Sequence, residues 1–339
     1  MKNRPILAIT MGDPCGIGAE IAVKVLSEEK IYEAARPLII GDKERIRQSL
    51  AFVEQPLGIN VIATPDEALY EYGTLDVLHM EVPGVSELGY GKVNALAGEA
   101  AVTYIFKSID LAKARQVDAV VTGPINKESM HMARHHYPGH TEIFAQRTDT
   151  KDYAMMLAAD GYFAIHVSTH CSLRDACDRA KKERVKKVIE LAHELVTVND
   201  LPNKNIGIAG LNPHSGENGA FGTEEMEEII PAMEESRKEI PGIQLIGPVP
   251  PDSLFVKAKR NDYRVMAVMY HDQGHIPMKI INFDEGVNVT LGLPIIRTSV
   301  DHGTAFGKAG KGSASSVSLR AAIALAIEMA LNKFYTKEV

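Results

Sequence analysis

Residues 270–279 of the chain read YHDQGHIPMK, and residues 286–313 read GVNVTLGLPIIRTSVDHGTAFGKAGKGS. Histidines, carboxylates and the cations Lys279 and Arg297 alternate here with apolar segments such as VNVTLGLPII. Charged groups so close to apolar segments need partners, because burying an unpaired charge is costly. In α/β proteins such groups gather at the ends of buried strands, where ligands bind. The stretch therefore predicts an α/β fold and the floor of an active site that handles an anion.

The composition is that of a globular protein and argues against several classes of function. The chain has 339 residues, 45% of them hydrophobic and 24% charged, with a formal net charge of -7. This length predicts two domains or one large α/β unit, and without an evident basic face nucleic acid is not an expected partner. The N-terminus lacks a signal-peptide pattern, and no apolar run reaches the roughly 18 residues of a membrane span. Three cysteines without CxxC spacing favour a cytoplasmic location.

Two strand–turn–helix units support the α/β prediction. PILAIT, residues 5–10, leads into the glycine turn MGDPCGIGAE, and VDAVVT, residues 117–122, leads into GPINKES. The first turn lacks the G-x-G-x-x-G dinucleotide fingerprint, so no cofactor-binding residue is assigned. The composition changes at HMARHHYPGHT, which we interpret as the crossing into a second domain. The predicted domains are residues 1–135 with 304–339, and residues 136–303, the second carrying most of the metal and substrate residues.

Three histidines share one context, since each follows an apolar segment that is predicted to be a strand. They are His170 after FAIHVST, His214 after NIGIAGLNP and His271 after RVMAVMY. The carboxyl ends of strands in an α/β sheet can bring such distant residues together. Three imidazoles with an open position suit Zn²⁺ or another first-row divalent ion. The alternative is that each histidine simply satisfies its hydrogen bonds at a strand end.

A second group of residues suits an anion. The segment PGHTE, residues 138–142, offers an imidazole, a hydroxyl and backbone N–H groups at a predicted helix start. Lys279 and Arg297 add cations, Asn288 can donate from its amide, and an arginine can clamp a carboxylate or phosphate with two bonds. The alternative for the cations is an internal salt bridge to Asp284, Glu285 or Asp301.

Carboxylates that could act as general acid or base are Asp252, Asp272 and Asp301. A carboxylate beside a metal-binding histidine often orients that histidine instead of transferring protons. Asp252 and Asp272 are the predicted catalytic residues, and the alternative role for a carboxylate beside a histidine is to orient that histidine. The sequence has no G-x-S-x-G elbow and no Walker-A spacing, which disfavours a serine hydrolase, a kinase or an NTPase.

Seven motifs resemble those of the 4-hydroxythreonine-4-phosphate dehydrogenase family and fall in family order across nearly the whole chain. They are TMGDPCGIG, TGPINKE, PGHTE, STHCSL, GLNPHSGE, MYHDQG and GVNVTLGLPIIRTSVDHGTA. The resemblance implies an isocitrate/isopropylmalate dehydrogenase-like fold, with two α/β domains and the site in the cleft between them. It also implies a homodimer whose site is shared across the interface, NAD or NADP as cofactor, and a divalent metal (Zn, Mg, Mn or Co).

The same resemblance assigns roles to individual positions of this chain. The implied metal ligands are His170, His214 and His271. The implied substrate contacts are His140, Thr141, Lys279, Asn288 and Arg297.

The implied reaction oxidises the 3-hydroxyl of a 4-phosphorylated four-carbon hydroxy acid, and decarboxylation follows. The variants PINKES, HDQGHIPMK and FGTEE favour D-threonate or D-erythronate 4-phosphate as substrate, giving dihydroxyacetone phosphate and CO₂. The alternative substrate is 4-hydroxy-L-threonine 4-phosphate, in pyridoxal phosphate biosynthesis. A different class, a non-catalytic metal-dependent binder of phosphorylated metabolites, is disfavoured because the three histidines, Lys279 and Arg297 are all present.

Overall fold

The computed structural model describes residues 4–332, and within them the chain contains both parallel and antiparallel strands. The strands, in chain order, are β1 Ile6–Thr10, β2 Arg36–Gly41, β3 Gly58–Ile62, β4 Thr74–His79, β5 Ala119–Thr122, β6 Ala154–Ala159, β7 Tyr162–His166, β8 Asn205–Ala209, β9 Gln244–Val249, β10 Val265–Val268, β11 Val287–Leu291 and β12 Ile296–Val300.

Helices connect most of these strands, as the α/β prediction requires. They are α1 Gly18–Leu26, α2 Glu29–Ala34, α3 Lys43–Ser49, α4 Ala95–Lys113, α5 Lys127–Met132, α6 His140–Arg147, α7 Leu173–Arg179, α8 Lys182–Val198, α9 Ile230–Glu239, α10 Pro251–Lys259, α11 His271–Ile281 and α12 Val317–Leu331. None of the helices within residues 4–332 combines the length and hydropathy needed to cross a bilayer.

The described chain divides into two compact units. The first joins the residues up to Lys151 to Leu293–Leu331, and the second is Asp152–Gly292. These boundaries differ from the predicted ones, at 135/136 and 303/304. The histidine-rich segment that marked the predicted crossing connects α5 to α6 inside the first unit. The segment IRTSV forms β12, which pairs with β5 of the same unit and so belongs there too.

In the first unit, six described strands lie in the order β3–β4–β2–β1–β5–β12, and their pairings are parallel. Strand β1 is at the centre, and Leu7, Ala8 and Ile9 are fully buried, as expected for a strand covered on both faces. The predicted glycine turn follows it. Gly12 has φ +74°, and a Cβ there would lie 2.3 Å from the carbonyl oxygen of Pro124, so only glycine fits this turn.

In the second unit, six described strands lie in the order β11–β6–β7–β10–β8–β9. The hairpin β6–β7 turns at Asp160 and Gly161, both with positive φ, the conformation that two-residue hairpin loops favour. Strands β7, β10, β8 and β9 are mutually parallel, whereas β11 and β7 each run antiparallel to β6. The carboxyl ends of β7, β10 and β8 therefore meet at one edge of the sheet.

Candidate active site

Each predicted metal ligand follows one of three adjacent parallel strands in the second unit. His170 lies in the loop after β7, His271 is the first residue of α11 after β10, and His214 lies in the short turn Pro213–Gly216 after β8. Because β10 pairs with both β7 and β8, the three loops leave the same edge of the sheet. The prediction that each of these histidines follows a strand is confirmed, and their role as metal ligands stays a prediction.

His170 and His271 lie side by side in one cavity. Their ring centroids are 5.9 Å apart. The cavity has a volume of about 280 Å³, and it is lined by Thr169, His170, Cys171, Leu173, Ala176, Tyr270, His271 and Asp272. Two imidazoles that share a solvent-accessible cavity are chemically suited to bind a divalent metal ion.

The carboxylate of Asp272 determines the tautomer of His271. Asp272 Oδ1 lies 2.6 Å from His271 Nδ1, and a carboxylate in this position accepts the Nδ1–H. The lone pair of a neutral His271 is then on Nε2, where a metal ion can bind it. These two imidazoles therefore have the chemistry that the implied metal needs, and Asp272 acts on the orientation of His271.

The turn that carries His214 has an unusual backbone. His214, Ser215, Glu217 and Asn218 all have positive φ between 41° and 56°, and such conformations persist only where the surroundings enforce them. A buried carboxylate anchors the chain just before this turn: Glu225 accepts hydrogen bonds from the backbone N–H groups of Leu211 and Asn212, at 2.7 Å each.

His214 itself is exposed, and the structure does not bring it into a closed cluster with His170 and His271. No three His, Cys, Asp or Glu side chains within residues 4–332 are placed to hold a metal ion together. Asp252 lies in the first turn of α10, which packs against the turn Pro213–Gly216. Its carboxylate is exposed and accepts a hydrogen bond of 3.2 Å from the Ser253 hydroxyl.

Gln273 organises this edge of the sheet, a role that the sequence analysis missed. Its amide oxygen accepts from the backbone N–H of Met269, at 2.6 Å, and its amide nitrogen donates to the carbonyl of Gly210, at 2.8 Å. One buried side chain thus joins the loops after β10 and β8, from which His271 and His214 extend. The motif HDQG contains this residue, but its long-range partners cannot be read from the sequence.

In the first unit, the structure brings three of the predicted substrate residues together. His140 and Thr141 begin α6, and Arg297 lies on β12 with only 2% of its surface exposed. The guanidinium donates to Thr122 Oγ1 from Nε and Nη2, at 3.3 and 3.0 Å, and its carbon lies 5.6 Å from the Phe144 ring centroid.

The electrostatics of this group favour an anion. Burial lowers the pKa of Arg297 to about 9, and Glu142 opposes this shift. Burial, with Arg297 and Lys127 nearby, holds the pKa of His140 well below its usual range. Among the described residues, His140 Nε2 has no hydrogen-bond partner although the atom is shielded from solvent. A buried polar atom without a partner beside a destabilised cation indicates a site that an anionic ligand would complete.

The other two predicted substrate residues lie in the second unit. Lys279 is on α11, with its Nζ atom 5.3 Å from the Phe283 ring centroid. Asn288 is on β11, where its backbone pairs with Leu157 of β6. Both residues share the second unit with the three predicted metal ligands.

Comparison with known proteins identifies the family. Residues 33–326 match the family model described as "Pyridoxal phosphate biosynthetic protein PdxA". The chain belongs to the PdxA family. A relative from Oceanobacillus iheyensis, named "Putative D-threonate 4-phosphate dehydrogenase", is 44% identical over 336 residues, which cover 98% of this chain and 100% of the relative.

Solved structures agree with this assignment to the PdxA family. The 4-hydroxythreonine-4-phosphate dehydrogenase of Klebsiella pneumoniae is 41% identical, with a TM-score of 0.88 and coverage of 97% of this chain and 98% of that one. The enzyme of that name from Burkholderia phymatum is also 41% identical, with a TM-score of 0.85 and coverage of 97% and 99%. The predicted family, the two-domain α/β fold and the class of oxidoreductase acting on a CH–OH group are confirmed.

Proposed function

We propose that the protein is an NAD- and divalent-metal-dependent dehydrogenase that converts D-threonate 4-phosphate or D-erythronate 4-phosphate to dihydroxyacetone phosphate and CO₂. The metal-dependent part of the proposal is carried by the surroundings of His271. Asp272 sets the tautomer of this histidine, and its ring shares a cavity with His170. The substrate is supported by the relative from Oceanobacillus iheyensis, whose name specifies D-threonate 4-phosphate.

The metal ion would be held by His170, His214 and His271. When bound, it would supply positive charge that stabilises the negative charge on the oxygen of the reacting carbon, first when the hydroxyl loses its proton and again when CO₂ leaves. The carbon that bears the 3-hydroxyl would lose a hydride, which a bound nicotinamide would accept. The resulting β-keto acid would then lose its carboxylate as CO₂, and the carbon left behind would take up a proton.

The chain itself supplies orientation and proton transfer. Asp272 is engaged by His271 at 2.6 Å, so we assign it the role of holding that ring. The exposed carboxylate of Asp252, at the start of α10, is our candidate for the base that accepts the proton of the 3-hydroxyl. Of the two carboxylates predicted to be catalytic, Asp252 therefore has the proposed proton-transfer role.

The anionic groups of the substrate would be bound by His140, Thr141, Lys279, Asn288 and Arg297. The unpartnered Nε2 of His140 can donate to a phosphate oxygen, and the guanidinium of Arg297 can supply a charge-assisted bond. The phosphate on C4 takes no part in the bond changes, so its binding energy can be used to orient the substrate.

We also propose that the protein is a homodimer. Ile276, Ile280 and Phe283, in and just after α11, are 56%, 80% and 72% exposed. Large apolar side chains grouped on one exposed face are characteristic of protein interfaces, and a second copy of the chain is the expected occupant. Analytical ultracentrifugation should give twice the mass of one chain; a monomer at micromolar concentration would contradict this.

We propose a cytoplasmic location for the protein. This proposal rests on the free thiols of Cys15, Cys171 and Cys177, together with the nucleotide cofactor.

The substrate proposal is tested by following nicotinamide reduction with three compounds side by side. They are D-threonate 4-phosphate, D-erythronate 4-phosphate and 4-hydroxy-L-threonine 4-phosphate, each with NAD or NADP and with or without added divalent metal. We expect metal-dependent activity with the two sugar acids. Activity with the amino acid alone would support the second candidate, which the names of the Klebsiella and Burkholderia proteins favour. Binding without reduction of any nucleotide would support a non-catalytic binder.

The metal ligands are tested separately with His214→Ala. Loss of one neutral ligand should lower metal affinity at least about tenfold and abolish turnover while the protein remains folded. His193→Ala makes the same chemical change on α8 of the same unit and should alter neither property. If His214→Ala binds as much metal as the wild type does, the assignment of His214 as a ligand is wrong.

A further inference from the structure

A second pair of histidines lies beneath His271, inside the core of the second unit. His166, the last residue of β7, is fully buried, and His275 of α11 is 7% exposed. His166 Nδ1 lies 3.2 Å from the carbonyl oxygen of Met155 on β6, and His166 Nε2 lies 3.1 Å from His275 Nδ1. The two rings come from strands and helices that are far apart in the sequence.

The proton positions in this pair follow from its partners. A carbonyl oxygen only accepts, so His166 Nδ1 must carry the hydrogen that points to Met155. The ring is buried, and with its hydrogen on Nδ1 the remaining nitrogen, Nε2, is the acceptor. His275 must then donate from Nδ1, and the same N–H lies 3.2 Å from the carbonyl oxygen of His271. Hydrogen bonds thus anchor the His275 ring to β6 through His166.

The anchored ring of His275 lies directly against the proposed metal ligand. The His271 and His275 rings are stacked, with centroids 3.7 Å apart and planes inclined by 9°. Gly274 permits this arrangement, because a Cβ at that position would lie 2.5 Å from His166 Nε2 and 3.0 Å from Val268 Cγ2. The backbone of α11 therefore approaches His166 so closely at Gly274 that no side chain would fit between them.

We propose that His166 and His275 are positioning residues of the metal centre, and that the buried, hydrogen-bonded ring of His275 fixes the plane of the His271 ring for metal binding. This inference rests on the proposed metal-dependent function. Asp272 alone is a weak anchor for His271, because its side chain is 66% exposed and water competes for its oxygens. The His275 ring, in contrast, is buried, and it cannot move without breaking its hydrogen bond to His166.

The test measures the affinity of metal-free protein for Co²⁺ by isothermal titration calorimetry, with the visible absorption of bound Co²⁺ as a second readout. His275→Asn keeps an N–H donor toward His166 but removes the ring that stacks on His271. His275→Leu removes both. We expect each variant to bind Co²⁺ about tenfold more weakly than the wild type, as is usual for residues that orient a metal ligand.

Met278→Ala is the matched control. Met278 is fully buried on the same helix and belongs to the apolar cluster with Val268, so its truncation destabilises the core without removing an imidazole. If His275 acts by positioning, Met278→Ala should lower the thermal unfolding midpoint yet change the Co²⁺ affinity by no more than about twofold. A loss of affinity equal to that of His275→Asn would show a general loosening of α11 and overturn the proposal.

The remaining outcomes separate this inference from the proposed function. If the wild type binds Co²⁺, His271→Ala does not, and both His275 variants bind as the wild type does, the metal centre stands and the positioning role is refuted. If the wild type fails to bind Co²⁺, or His271→Ala binds it unchanged, the proposed metal centre is itself wrong. Should His275→Leu not fold, His275→Asn, which retains the buried hydrogen bond, decides the question.

Discussion

Arg297→Met should make the ligand-free protein more stable while removing its response to phosphate. Burial lowers the pKa of Arg297 from the ordinary value of an arginine to about 9. Each pKa unit corresponds to about 1.4 kcal/mol, so keeping this guanidinium charged in the folded protein costs roughly 5 kcal/mol. Lost hydrogen bonds, including those to Thr122, offset about 3 kcal/mol of that cost. We therefore expect a net gain of about 2 kcal/mol in the free energy of unfolding.

The assay is urea unfolding at neutral pH, with and without inorganic phosphate. Phosphate at about ten times its Kd should stabilise the wild type by about 1.4 kcal/mol and leave Arg297→Met unchanged. Arg264→Met is the matched control, because that guanidinium lies over the Tyr162 ring in the other unit and should leave the phosphate response intact. A less stable Arg297→Met, or one that still responds to phosphate, would refute the reasoning that this cation is held for an anion.

Three further substitutions test other parts of the structure by urea unfolding. Burial raises the pKa of Asp13 from 3.8 to about 6, so the stability this carboxyl contributes at low pH is lost as the pH rises through about 6. Asn at this position cannot titrate, so the free energy of unfolding of Asp13→Asn should rise by about 1 to 2 kcal/mol relative to that of the wild type between about pH 5 and about pH 7.5. A difference between the two proteins that does not change with pH would contradict this. Glu225→Ala should lower the free energy of unfolding by about 2 to 4 kcal/mol, because two backbone N–H groups lose their acceptor. A decrease below about 1 kcal/mol would show that other contacts hold the loop that carries His214. Gly274→Ala should cost about 1 to 3 kcal/mol through overpacking against His166, and Gly89→Ala, whose Cβ would meet open space, should be neutral; equal effects would disprove the packing argument.

The sequence predicted best those elements whose local pattern and tertiary role agree. The strands predicted from PILAIT and VDAVVT are β1 and β5, and a turn and a helix follow each of them as predicted. Helix α11 was missed because Gly274 and Pro277 disfavour a helix interior. The close approach to His166, which requires that glycine, compensates for its low helix propensity.

Topology predicted where the histidines of the candidate site lie along the chain, but the contacts that support them were not predicted. The placement of His170 and His271 followed from strand ends alone, since parallel strands align their carboxyl ends. The bond between His166 and His275 joins residues 109 positions apart, and no local pattern in the sequence indicates it. The burial of Arg297 beside Thr122 likewise depends on strand pairing across 175 positions.

The proposed metal-dependent oxidative decarboxylation is tested most directly by measuring CO₂ released per nicotinamide reduced, with D-threonate 4-phosphate and metal-reconstituted protein. The proposed reaction removes one hydride and one carboxylate from each substrate molecule. We expect one CO₂ for each reduced nicotinamide, and neither product after the metal is removed by a chelator. Nicotinamide reduction without CO₂, or equal rates with and without metal, would contradict the account.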